Sequence, residues 1–144
     1  MSVSLFNNII MKKLLIVSAL LIFACSSEDS VDNPLTAHTI EGKWVWSPSE
    51  NRADTNTMYE FVGGVRYTYY CIDCPGDNDY WNSLEESDRI PGSNLYSVDS
   101  YDTLRIDLGF GNEFVTQITY ECDGGKLHMD GVFSHLWRLS SNCQ

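Results

Sequence analysis

The chain has 144 residues, with nine Lys and Arg against 20 Asp and Glu, a formal charge of −11, and 43% hydrophobic and 12% aromatic residues. That length and apolar content suit one packed domain and exclude both a multidomain enzyme and a disordered acidic tail. So acidic a chain has no electrostatic footprint for phosphates, which excludes nucleic acid as a partner.

In chain order the first element is a leader. Lys12 and Lys13 precede an unbroken apolar run, Leu14 to Phe23, which ends in Ala24-Cys25 and gives way to Ser26-Ser27-Glu28-Asp29-Ser30. The run is too short to span a bilayer as a helix and fits the h-region of a signal peptide, with Met11 a better start than Met1. Ile22-Phe23-Ala24-Cys25 resembles the lipobox of bacterial lipoproteins, in which a small residue precedes a cysteine that is acylated and becomes the mature N-terminus. The resemblance implies that residues 1–24 are removed and that Cys25 anchors the protein to a lipid bilayer. The location implied is the cell envelope, as an outer-membrane lipoprotein on the periplasmic face or the cell surface. Residues 25–40 contain Pro34, several acids and no hydrophobic periodicity, and read as a flexible tether. Glu28, Asp29 and Asp32 resemble the short acidic signal of surface-exported lipoproteins of the Bacteroidetes group. A plain solvated linker fits them equally.

From residue 41 to residue 144 the pattern is all-β. Short stretches of Trp, Tyr, Phe, Val, Ile, Leu and Thr alternate with Gly, Asp, Asn and Ser, and no window sustains a helical period. The pattern predicts strands at Lys43–Ser47, Met58–Val62, Val65–Cys71, Asn94–Val98, Thr103–Gly109, Glu113–Cys122, Lys126–Asp130 and Val132–Leu139. Gly63-Gly64 and Asp123-Gly124-Gly125 read as hairpin turns, because glycine supplies the positive φ that such turns require. In Leu104-Arg105-Ile106-Asp107-Leu108 the aliphatics face a core and the charges face water. Asp73 to Ser93 is the least strand-like stretch, a long loop with room for a short helix at Ser83–Arg89.

About eight sequential strands without crossover helices form an antiparallel up-and-down meander, closed as a barrel or, alternatively, folded as a two-sheet β-sandwich. Gly42-Lys43-Trp44 on the first strand and Trp137-Arg138-Leu139 on the last resemble the lipocalin-like domains of small bacterial lipoproteins. In lipocalins a Gly-x-Trp tryptophan near the closed end is covered by a basic side chain from the end of the barrel. The resemblance therefore implies a lipocalin-like barrel in which Gly42, Trp44 and Arg138 form the signature, with Arg138 stacked on Trp44.

Setting Cys25 aside leaves Cys71, Cys74, Cys122 and Cys143, which in an exported protein suggest two disulfides in one of three pairings. With all eight strands present and alternating, Cys71 ends the third strand at one pole, while Cys122 and Cys143 lie at the other. This points to Cys71–Cys74 and Cys122–Cys143. Loss of the weak strand at Asn94–Val98 would gather all four at one pole and permit cross-pairing. A redox or zinc role for Cys71-Ile72-Asp73-Cys74 competes, but a thioredoxin-type pair belongs at a strand-to-helix junction and an oxidising compartment favours disulfides.

The remaining candidates are weaker. Asp77, Asn78, Asp79, Glu85, Glu86 and Asp88 form an acidic run without the EF-hand pattern, read as a solvated loop rather than a calcium site. His38, His128 and His135 are too dispersed for a metal site, and no nucleophile motif accompanies them. The reading is of a protein with neither metal nor cofactor. Tyr59, Phe61, Tyr67, Tyr69, Tyr120 and Trp137 fall at inward-compatible positions. Tyr70, Tyr80, Trp81 and Tyr96 are placed on a loop or an opposite face, with Tyr80-Trp81 as the candidate contact for a ligand or partner. The function expected is that of a non-enzymatic, monomeric, membrane-anchored protein binding a small apolar or amphipathic ligand or serving as an envelope accessory. A glycan- or protein-recognition module using exposed aromatics is the alternative.

Overall fold

The structure, a computed structural model, describes residues 38–73, 75–131 and 135–143. The leader, Cys25, most of the tether and Cys74 lie outside the described residues. Eight strands run in chain order: β1 (Gly42–Trp46), β2 (Thr57–Val62), β3 (Val65–Tyr70), β4 (Asn94–Val98), β5 (Thr103–Gly109), β6 (Asn112–Glu121), β7 (Lys126–Met129) and β8 (His135–Arg138). Each pairs antiparallel with the next, and β8 returns to β1, so the meander closes into a barrel rather than a sandwich. The alternation of direction places the β2–β3, β4–β5 and β6–β7 turns at one pole with the entry to β1 and the exit from β8. The other four connections lie at the opposite pole.

The β2–β3 turn sets the wall on either side of it. Gly63 and Gly64 both have positive φ (56° and 79°), the geometry of a two-residue turn whose twist matches the strands. It pairs Val62 with Val65, Phe61 with Arg66, Glu60 with Tyr67 and Tyr59 with Thr68. Directly paired residues share a face. Tyr59 and Phe61 point inward, so Arg66 and Thr68 do too, and Tyr67 and Tyr69 point outward. This corrects the inward placement of those two tyrosines. Trp137 likewise pairs with Val45 on the outer face, while Leu136 pairs with Trp46 on the inner one.

Two cores result. Ile40, Trp44, Phe61, Leu104, Ile118 and Leu127 are among the residues that fill the barrel. A second core lies outside it, where Val45, Met58, Tyr69 and Trp137 are covered by Trp81 and Leu139. Trp81 belongs to a six-residue helix, α1 (Asn78–Ser83), which begins where Asp77 Oδ1 accepts from the Tyr80 backbone N–H at 2.8 Å. The helix therefore precedes the expected Ser83–Arg89, where only a 3₁₀ turn forms at Glu86–Asp88. A cap at Asp77 and a tryptophan one turn later outweigh the charged stretch that follows.

The β3–β4 seam is the weakest in the wall. Only Val65↔Leu95 and Arg66↔Asn94 pair across it, against six pairs between β2 and β3. Past that point the loop takes the place of β4, with the Ile90 N–H donating to Thr68 O at 2.8 Å.

Candidate functional site

The barrel is plugged at one pole and hollow towards the other. At the plugged pole Arg138 lies over the Trp44 ring, 4.3 Å from its centroid, in the stacking expected from the Gly-x-Trp pattern. Its guanidinium donates to the carbonyls of Gly124 at 3.1 Å and Glu41 at 3.0 Å, and also to that of Thr39. Trp44 Nε1 donates to Ile40 O at 2.6 Å. Gly42 has φ +116°, and a Cβ there would lie 3.3 Å from Arg138 Nη1, so the position calls for glycine. Tyr120 packs against Trp44, and burial pushes its hydroxyl pKa up to about 12.

Towards the other pole is a cup of about 260 Å³, whose wall includes Trp46, Tyr59, Phe61, Phe114, Met129 and Leu136. On β5 the lining alternates with outward charges, Leu104, Ile106 and Leu108 with Arg105 and Asp107, whereas on β1, β2 and β8 it alternates with the outer-core residues Val45, Met58 and Trp137. Arg66 interrupts the apolar lining. Its Nη2 donates to Asn94 Oδ1 at 2.7 Å, its guanidinium lies 4.9 Å from the Tyr59 ring centroid, and its Nε is buried without a hydrogen-bond partner. Burial holds the Arg66 pKa below its ordinary value. Burial raises that of Tyr59, an effect the neighbouring Arg66 charge opposes.

The remaining candidates are accounted for by the fold. Tyr80 and Trp81 meet edge to face at 5.3 Å. Trp81 is completely buried in the outer core and Tyr80 is half-buried, so they form no exposed platform. Tyr96 points into the barrel, edge-on to Phe61 at 5.0 Å, and its hydroxyl bonds Glu41 Oε1. Of the four placed outside the core, Tyr70 is exposed. The loop acids serve local ends: Asp77 caps α1, Asp88 Oδ2 accepts from the Glu85 N–H, and Glu86 pairs with Arg89 at 3.4 Å. His128 and His135 meet across β7 and β8 at 3.3 Å, with Asp130 3.5 Å from His128. Among the described residues no group of three or more side chains could hold a metal ion. Cys122 and Cys143 form a disulfide, and Cys71 is also disulfide-bonded, although its expected partner Cys74 lies outside the described residues.

A larger cleft, about 840 Å³, runs between residues 50–53, 76–78 and 141–142. Among the described residues no aromatic side chain lines it, and its arginine, Arg52, already donates to Cys143 O, Asn78 Oδ1 and Arg138 O. The cup is therefore the candidate site. Arg66 carries no motif of its own, and its only mark in the sequence is the Gly63-Gly64 turn that sets it opposite Phe61. No family model, curated protein or solved structure matches the chain.

Proposed function

We propose that this is a non-enzymatic, lipocalin-like lipoprotein of the cell envelope, anchored in the outer membrane through acylated Cys25, that binds a small apolar or amphipathic molecule inside its barrel. The observation that carries the reading is the 260 Å³ apolar cup. An eight-stranded barrel is just wide enough either to be filled by its own side chains or to hold one small ligand. Here the Trp44 end is filled and the Trp46 end is hollow. At about 30 Å³ per water-sized group, the space suits a ligand on the order of nine such groups.

Native mass spectrometry of protein purified from its own host tests the reading. The expected result is a co-purifying small molecule, lost when Leu136→Trp fills the cup. A bare chain that also takes up no added alkyl compound would count against it. The anchor is tested separately, since Cys25→Ala should move the protein from the membrane fraction to the soluble one. Retention in the membrane would refute lipidation at Cys25.

A further inference from the structure

We propose that the cup selects a single-chain amphiphile with a monoanionic head, and that Arg66 receives the head while Phe61, Leu104, Phe114 and Met129 hold the chain. The proposal deepens the reading of the cup as a ligand site and rests on it.

The argument starts from what Arg66 lacks. The chain has 20 acidic residues against nine basic ones, so carboxylates are abundant and arginines are easily paired. Arg89 pairs with Glu60 at 2.8 Å, and Arg105 with Glu113 at 3.7 Å. Among the described residues Arg138 and Arg52 have no such pair, but they spend donors on backbone carbonyls. Among the described residues Arg66 makes no ion pair, its one hydrogen-bond acceptor is the neutral amide of Asn94, and its Nε has none. It is also the one charged side chain among the described residues lining the cup.

A guanidinium stays protonated even in such surroundings, so its charge persists without a counter-charge. Burial disfavours that charge, which is the sense in which the Arg66 pKa is displaced. A bound anion would supply both the missing acceptor and the missing charge in one group, in surroundings where charge-assisted hydrogen bonds are strong. One unmatched cation and one orphaned N–H call for a monoanion, such as a carboxylate or a sulfate ester, rather than a dianionic phosphate. The cup's volume limits the chain to about eight carbons, since a methylene takes up roughly the space of a water.

Titration of the purified chain with octanoate, octyl sulfate and 1-octanol at neutral pH, followed by intrinsic fluorescence from Trp46, tests the assignment. The anions should bind about tenfold more tightly than the alcohol, and the tighter of the two identifies the head group. Arg66→Met should abolish the difference by weakening the two anions far more than octanol, and Arg66→Lys, which keeps the charge, should retain part of it. Equal affinity for alcohol and anions in the wild type overturns the role of Arg66 and leaves the cup standing, as does a preference that survives Arg66→Met. If none of the three binds, the cup reading falls and the proposal with it. The wild-type comparison decides the matter even where a variant fails to fold.

Discussion

Arg138 shows how much one side chain can hold together. It bonds carbonyls from the entry to β1 and from the β6–β7 turn, and it covers the Trp44 ring. Replacing it with Met keeps the aliphatic bulk and removes all three donors, leaving the carbonyls of Thr39, Glu41 and Gly124 short of a partner. Urea denaturation should show Arg138→Met less stable by about 3 kcal/mol, because hydrogen bonds from charged donors contribute on the order of 1.5–3 kcal/mol each and water takes over part of the loss. Gly42→Ala should cost about 1–3 kcal/mol through its forbidden φ. Gly42, Trp44 and Arg138 were legible because a short motif marks them. Arg66 was equally within reach, since a two-residue turn at Gly63-Gly64 fixes which side chains share a face. What obscured it was the expectation that tyrosines at alternate positions point inward.

At the scale of elements, strand positions were legible and strand faces only partly so. β5 shows why the easy cases are easy, since one of its faces is wet and its alternation is strict. On β1 and β8 the stretches Trp44-Val45-Trp46 and Leu136-Trp137 are apolar on both faces, and such stretches read as continuous runs without a preferred side. The cover on the outer face is α1 with the loop that follows it, held by Arg89. That side chain lies 3.9 Å from the Tyr67 ring centroid, pairs with Glu60 at 2.8 Å, and donates to Tyr69 Oη at 3.0 Å. Arg89→Ala should therefore leave the barrel folded and speed limited proteolysis within residues 84–93. Unchanged cleavage would mean that Trp81 alone holds the cover. The Cys122–Cys143 disulfide ties the C-terminal segment to the β6–β7 turn across 21 residues. Replacing both cysteines with Ser should cost about 3 kcal/mol in chemical denaturation, the loop-closure value for that separation. Its pairing was legible because β4 forms and preserves the alternation of poles.

For the molecule as a whole, acid is the revealing perturbation. Burial pushes the Glu60 carboxyl up, but hydrogen bonds from Tyr69 and Arg89 and the charges of Arg89 and Lys43 outweigh it, leaving its pKa below the ordinary 4.5. His135 is also held below its ordinary 6.5, by burial first and then by Lys126 and His128. In both cases the unfolded chain binds the proton more readily, so stability falls as pH falls. The His135 contribution is lost as pH drops below about 6.5, and the Glu60 contribution below about 4.5. Thermal melts should show two successive declines in Tm on acidification, with His135→Gln removing the upper one. A Tm that rises between pH 7 and pH 5 would contradict this. Net repulsion among the acids relaxes over the lower range and opposes the second decline without touching the first.

The short β3–β4 seam bears on how the protein behaves among its own copies. A barrel is protected from association because it has no strand edge to offer, yet here β3 beyond Arg66 has only a loop beside it, through the bond from Ile90 to Thr68. Without that loop the backbone of β3 would be a template for a strand from another molecule. The Arg89 clasp is thus also a guard against self-pairing, and any change that frees the loop exposes a sticky edge on an otherwise edgeless wall.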